Sequence, residues 1–387
     1  MACWRSQSSV RDNAMKIIVL AHPKDDHAAP VRWALEQAGY QTACWSGVSP
    51  DEQDQASLLV DEQPCIRLGK YRLESDDVLW LRQADHHASD HHSSDHQASD
   101  HKTTEPEKGG PPTPSFFNEL AYMFESLPVR CVNPYSAVCF VRNKAVQLQL
   151  AGASGLRIPA TLMSNSPAAV REFFDQNPDN AICKGFATHV WQQHGSTDVT
   201  VTETFSLNRA DLPTDDKVFT YSPAIYQEKV RKQFDVRMVL MGERVYSFAV
   251  RTPANSLDWR HDAALRNVAV EPVATPTAVE SAILRFAATA GVCTGSLDFA
   301  VDRNGEWWFL EINEQGQFLW LDDFCPGSRL LEKFCAFLTA PQGSRQTLEE
   351  REGLFPSMAE YERIRQKEEA PNIATISAEA SFKSMEP

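Results

Sequence analysis

Ser296 to Asn313 carries the densest chemistry in the sequence. Asn304-Gly305 is the favoured two-residue hairpin turn, and it separates two alternating runs. A two-residue loop pairs 303 with 306, which sets Asp298 across from Glu311 and Ser296 across from Asn313. Side chains alternate along a strand, so Asp298, Glu311 and Asn313 then share one face. Leu297, Phe299, Val301, Trp308, Leu310 and Ile312 share the other, an apolar set fit for a core. A four-residue loop keeps these faces, whereas a three-residue loop exchanges the faces of one strand. Two carboxylates crowded together repel or raise a pKa. A hard divalent cation removes that cost, and Mg2+ held by one or two carboxylates plus nucleotide phosphates is a common arrangement. The alternative is a solvated face whose charges pair with Lys or Arg.

A second concentration of chemistry is histidine. Six of the eleven histidines fall between His86 and His101, in tandem Asp-His pentads starting at Asp85, Asp90, Asp95 and Asp100. A period of five matches neither helix nor strand faces, and the repeat holds nothing apolar larger than Ala, so a disordered insert over 85–114 is expected. Weak metal binding is the alternative, although a pentad repeat does not enforce four-ligand geometry. The nine cysteines are widely spaced without a Cys-x-x-Cys pair, which gives no zinc ribbon or thioredoxin-type site.

The whole chain bounds the rest. Its 387 residues suggest two to three domains, and 42% hydrophobic residues suffice for ordinary cores. A formal charge of −15 disfavours nucleic acid and anionic membranes as partners. No apolar run approaches membrane-spanning length, so a cytoplasmic protein is expected.

The elements that must position the hairpin follow from patterning. Residues 1–14 read as a leader. Lys16 to Ala21 is a buried strand, Ala28 to Ala38 a helix closed by Gly39, and Gln41 to Trp45 a second strand. That opening suits a parallel, doubly wound sheet, and the absence of Gly-x-Gly-x-x-Gly speaks against a dinucleotide site. Cys65 to Leu73 reads as a hairpin and Asp77 to Leu81 as a strand. Phe116 to Ser126, Arg142 to Ala153, Pro167 to Gln176 and Thr277 to Ala290 read as helices. Ala181 to Phe186, Val199 to Phe205, Ile225 to Val230 and Phe234 to Val250 read as strands, the last a hairpin about Gly242-Glu243. Beyond Thr339 lies a polar, peripheral tail with one helix from Met358 to Glu369.

With these elements in order, the sequence resembles the ATP-grasp ligases. Ser296-Leu-Asp-Phe-Ala and Phe309-Leu-Glu-Ile-Asn313 look like their magnesium-binding motif. Tyr226 to Val230 with Asp235-Val-Arg237 resembles the strand that hinges the two subdomains. Asn143-Lys144 and Ile182-Cys-Lys184 match the two lysines that reach ATP phosphates. The nearer resemblance is to the peptide-macrocyclising ligases of microviridin-type (graspetide) biosynthesis, relatives of the ribosomal-protein glutamate ligases. It rests on Val78-Leu-Trp-Leu-Arg82, Asn133-Pro134, Gln147-Leu148, Ile158 to Thr161 and Asp258-Trp259-Arg260, within 15–338. Gln83 and Ala84 depart from that group's Arg-Pro, and the segment between Lys184 and Thr204 lacks a plainly Gly-rich phosphate loop.

The resemblance implies an α/β protein with the ATP-grasp fold behind a Rossmann-like pre-ATP-grasp α/β domain. The expected boundaries are 15–134 for that domain, 135–222 for a central domain with lid, 223–339 for the C-terminal subdomain and 340–387 for the tail. It implies that Lys144 and Lys184 meet the phosphates, Gln227, Glu228, Lys229 and Val230 the adenine edge, and Asp235 the ribose. Arg237 and Arg251, with Lys184, would act on the transferring phosphoryl group, and Asp298, Glu311 and Asn313 would hold two Mg2+ ions. Arg82, Trp259 and Arg260 would contact an acidic substrate side chain. The implied reaction phosphorylates an Asp or Glu carboxylate of a ribosomal precursor peptide, leader plus core, with ATP. A Lys amine or Ser/Thr hydroxyl then forms an amide or ester, in a homodimeric enzyme. Ligation of free amino acids or a protein tail, and a metal-responsive binding protein on a degenerate scaffold, stand as alternatives.

Overall fold

The computed structural model describes residues 15–22, 25–47, 55–61, 64–82, 114–178, 181–186, 190–192, 199–201, 204–253, 256–260, 267–340, 351 and 353–367. The expected leader 1–14 and the His/Asp repeat lie outside them. Described residues before 136 and after 328 form one compact unit, and those of 136–328 form a second.

In the first unit, β1 (Lys16–Leu20) is apolar and buried from Ile17 to Leu20, as suits a strand covered on both faces. It is followed by α1 (Ala28–Gln37), β2 (Gln41–Trp45), an antiparallel trio β3 (Ala56–Leu59), β4 (Cys65–Leu68) and β5 (Tyr71–Arg72), then β6 (Val78–Leu81). After α2 (Pro114–Ser126) comes β7 (Arg130–Val132). The order β2-β1-β6-β7 is parallel throughout, the expected doubly wound opening. Ile18, Leu20, Trp45, Leu79, Leu81 and Phe124 form its core.

Two C-terminal features of this unit differ from the sequence reading. The helix Leu330–Thr339, which the boundary at 339 groups with the hairpin, belongs here. All of its residues but Lys333 are buried, Glu332 and Thr339 included, so its burial runs beyond the apolar stripe that patterning can detect. Trp80 packs on its Phe334, and Arg130 donates to the carbonyls of Phe337, Leu338 and Ala340, capping its C-terminus. The tail is also less peripheral than expected. Phe355 is buried against Tyr40, and Tyr361 meets Trp33 from the helix expected over Met358 to Glu369 and described over 358–367.

The second unit begins with α3 (Tyr135–Val141) and α4 (Lys144–Ala153). Where the sequence reads one helix from Arg142, Asn143 makes the break: its side chain accepts from the Ala145 and Val146 amides and caps α4. Next come β8 (Thr161–Ser164), α5 (Pro167–Gln176), β9 (Ala181–Lys184), β10 (Val190–Gln192), β11 (Val199–Val201), β12 (Phe205–Leu207), α6 (Lys217–Tyr221) and β13 (Ala224–Glu228). The order β12-β9-β13-β8 makes a small antiparallel sheet, and β10 pairs with β11. β14 (Lys232–Met241), β15 (Arg244–Arg251), β16 (Ala269–Pro272), α7 (Thr277–Ala290), β17 (Thr294–Asp302), β18 (Trp307–Asn313) and α8 (Trp320–Phe324) follow. Here the order is β16-β15-β14-β17-β18. One face of this sheet packs Val236, Met238, Leu240, Leu297, Phe299 and Phe309 against Ala282, Ile283 and Phe286 of α7. The opposite face is left for polar groups.

Candidate active site on the large sheet

The hairpin β17–β18 reaches the expected site by a different route. Its loop has three residues, because Asp302 faces Glu306 and Gly305 takes a positive φ of 80°. Three loop residues offset the register by one, so Val301 pairs with Trp307 and Phe299 with Phe309. A bulge then takes up Leu310, and Asp298 pairs with Glu311 and Ser296 with Asn313 as expected. The apolar face is corrected accordingly. Trp307, Phe309 and Ile312 enter the core, while Trp308 and Leu310 are only half-buried. The Trp308 indole donates to Asp302 instead.

β14 lies on the other side of β17 and sets Arg237 directly across from Asp298. The four carboxylate oxygens of the facing pair each meet a cation. Asp298 Oδ1 accepts from Arg237 Nη1 at 2.9 Å, and Asp298 Oδ2 from Arg260 Nη2. Glu311 Oε1 accepts from the same Arg260 Nη2 at 2.8 Å, and Glu311 Oε2 from Lys144 Nζ at 2.8 Å. Burial alone would raise the Glu311 carboxyl, but Lys144, Arg260 and Lys184 overturn this and hold it at about 2. Asp298, ahead of the other influences, keeps the Arg260 guanidinium firmly protonated. Burial lowers Lys184, opposed by Glu311 and reinforced by Lys144 and Arg260. Against the chain's negative sum, Lys144, Lys184, Arg237 and Arg260 gather around two carboxylates, a locally cationic site suited to anions.

The link from the small sheet is a buried amide. Gln227 accepts from Lys184 Nζ at 3.2 Å and donates to Thr161 Oγ1 at 2.9 Å. Gln227 and Glu228 lie within β13 between β8 and β9, so their backbone groups serve the sheet. Lys229 and Val230 follow in the link to β14, where the Lys229 ammonium reaches Ser206. Asp235 is buried on the Arg237 face, paired with Lys232, whose Nζ also reaches the Leu257 carbonyl. Burial raises its carboxyl to about 6 in spite of that ammonium.

Trp259 is buried, stacks on Trp320, and carries Arg237 and Arg260 near its ring centroid at 5.8 and 5.5 Å. One expected residue is not brought to this cluster. Arg237 pairs with Phe248, and Arg251 stands three residues beyond Phe248, so parity turns Arg251 to the opposite face of the sheet. There it is exposed, paired with Glu271 and stacked on Phe234. Arg82 belongs to the first unit, where it is buried and ion-paired with Asp25, whose carboxylate also accepts from the His27 and Ala28 amides opening α1.

Three further residues complete the site. Gln147, one turn beyond Lys144 on α4, is buried and holds both backbone groups of Ile312, donating to its carbonyl at 3.0 Å and accepting from its amide at 3.1 Å. It thereby fixes the edge strand between Glu311 and Asn313. Ser296 is wholly buried beneath Gly316, where an added Cβ would come within 2.7 Å of Ser296 Cβ and 3.1 Å of Arg237 Nη2. The i+3 spacing of Gln147 from Lys144 was legible; the Gly316 contact was not, since it depends on the path after β18.

Asp298, Glu311 and Asn313 offer the hard oxygen donors that Mg2+ takes, and Ser296 Oγ, which has no partner among the described residues, adds another beside them. The residues present fit such an ion. Among the described residues no cluster of three His, Cys, Asp or Glu suits a metal, and no helix is long and apolar enough to cross a membrane.

No protein-family model matches the sequence, and no curated protein matches it. Solved structures do. A RiPP-associated ATP-grasp ligase from Chryseobacterium gregarium, solved with ADP and a leader and core peptide, is 21% identical. The match covers 85% of this chain and 98% of that one, with a TM-score of 0.66. Macrocyclase MdnC from Microcystis aeruginosa MRC, bound with precursor peptide MdnA, is 21% identical over 84% of this chain and 98% of that one, with a TM-score of 0.63. ATP-grasp ligase PsnB, complexed with a phosphomimetic minimal precursor, Mg and ADP, is 17% identical over 84% and 97%, with a TM-score of 0.56. The chain has the ATP-grasp fold.

Proposed function

We propose that this chain is an ADP-forming ATP-grasp ligase that activates an Asp or Glu side chain of a ribosomal precursor peptide and condenses it with a Lys amine or a Ser/Thr hydroxyl. The observation that carries the reading is the convergence of Lys144, Arg237 and Arg260 on the facing Asp298–Glu311 pair, with Lys184 close by. Structures of this fold solved with ADP and with leader or core peptides support it.

In this reading Lys144 and Lys184 bind the triphosphate as point charges, and Lys229 and Val230 border the adenine. Arg237 meets the γ-phosphoryl group as it passes to the substrate carboxylate, giving an acyl phosphate and ADP. The amine or hydroxyl then attacks the acyl carbon and releases phosphate, forming an amide or ester. Asp298, Glu311 and Asn313 would hold Mg2+, two ions in this reading, which would supply charge neutralisation for the transferring phosphoryl group. Trp259 and Arg260 offer an aromatic and cationic wall for the acidic side chain. A homodimer in the cytoplasm is the expected working form.

Mass spectrometry of a candidate precursor incubated with the protein, ATP and Mg2+ tests this. The expected result is loss of one water per crosslink, abolished by Glu311→Gln. A gain of an amino-acid mass would redirect the reading to ligation of free amino acids, and ATP turnover indifferent to Glu311→Gln would overturn it.

A further inference from the structure

We propose that Arg260 is the resident counter-ion a divalent cation must displace from Asp298 and Glu311, and that nucleotide phosphates give its guanidinium an alternative partner, so that metal and nucleotide bind cooperatively. This rests on the metal-binding reading of the hairpin.

Arg260 Nη2 touches Asp298 Oδ2 and Glu311 Oε1, and among the described residues it is the one cation that bridges both side chains. A divalent ion shared by these carboxylates competes for those same lone pairs. Each of the other two cations meets one carboxylate alone, Arg237 that of Asp298 and Lys144 that of Glu311. Arg237 is buried, donates also to the Gln317 carbonyl at 2.8 Å, and lies against Gly316. Lys144 stands at the start of α4, which Asn143 caps. Arg260, by contrast, has a side chain 49% exposed.

Its surroundings also suit a cation that changes partners. The guanidinium lies over the Trp259 ring, which binds a cation without demanding a fixed hydrogen bond. Its remaining polar contacts are long, 3.5 Å to both oxygens of Asp258. A planar fork matches phosphate oxygens as well as carboxylate oxygens. Metal alone must therefore expel Arg260 against two short ion pairs, whereas metal with nucleotide offers the expelled group a new anion. Coupling of this kind is reciprocal: the nucleotide tightens the metal to the same degree that the metal tightens the nucleotide.

The experiment is Mn2+ binding to the full chain, read by the paramagnetic signal of the free ion, with and without ADP. Wild type should bind Mn2+ at least ~10-fold more tightly with ADP. Arg260→Gln should tighten the ADP-free affinity by at least ~10-fold, about 1.4 kcal/mol, and shrink the coupling. Arg260→Lys keeps charge without the fork and should fall between, providing the same ordering if the Gln variant folds poorly by circular dichroism. ADP-free affinity unchanged or weakened in both variants would overturn the proposal. Glu311→Gln and Asp298→Asn separate the two levels: Mn2+ binding that survives both substitutions refutes the metal site itself. Binding that needs both carboxylates yet ignores Arg260 refutes the counter-ion role alone.

Discussion

Replacing Gln147 by Leu removes the amide that clamps β18 to α4 while keeping a side chain of similar bulk. Three backbone groups lose a partner: the Ile312 amide, the Ile312 carbonyl and the Val141 carbonyl, the last accepting at 2.7 Å. A buried backbone group left unpaired costs about 1–3 kcal/mol, and water reaching an edge strand recovers part of it, so a loss of about 2–5 kcal/mol is expected. Urea denaturation followed by tryptophan fluorescence measures this, and hydrogen exchange across 309–315 localises it to the Ile312 amide. Glu311 and Asn313 flank that residue, so ATP turnover should fall further than the unfolded fraction explains. Gln147→Glu sharpens the test. Its carboxylate accepts from the Ile312 amide but faces two carbonyls it cannot donate to, so the penalty should be larger at pH 8 than at pH 5, where protonation restores a donor. A loss below about 1 kcal/mol with unchanged Ile312 protection would refute the clamp.

Gly316→Ala should displace Arg237 from Asp298, lowering stability by about 1–3 kcal/mol and ATP turnover with it; unaltered turnover would show that the contact is not limiting. Asp235 titrates at about 6 in the fold against an ordinary 3.8, so the folded state holds its proton more tightly than the unfolded chain. Stability from this group is fully present below pH 4 and lost as pH rises through 6, about 3 kcal/mol in all, and Asp235→Asn should flatten that decline in denaturation midpoints between pH 4.5 and 7. Arg237→Ala leaves a buried carboxylate short of its partner and should abolish turnover. Arg251→Ala, on the opposite face, should leave turnover within about threefold, and an equal loss in the two variants would contradict the parity argument.

Most of the fold was legible because its elements carry strong local signals. β1 announces itself by four consecutive apolar residues, α1 by its stop at Gly39, and the hairpin by Asn304-Gly305. The cross-strand pair Asp298–Glu311 was legible too, though by two departures that cancel: a loop one residue longer than assumed and a bulge at Leu310. What stayed hidden depends on packing rather than on period. The helix Leu330–Thr339 buries even its polar Glu332 and Thr339, and Phe355 docks through a tail whose composition reads as solvent-exposed. Arg251 shows the limit for site residues, since residue type suggested a phosphate ligand and only the register could say which face it occupies.

Trp307, Phe309, Glu311 and Asn313 all have the same parity, yet the first two pack into the core and the last two face the polar side. The bulge acts as a phase slip that insulates the two ends of the hairpin from each other. Pairing with β14 runs without interruption through Asp298, so the ligand end keeps time with Arg237 whatever happens at the tip. The tip at 303–305 is consequently free to lengthen or shorten over generations, as turns at a protein surface commonly do, without moving the chemistry. A mutation that removed Leu310 would regularise the strand and leave Glu311 across from Asp298.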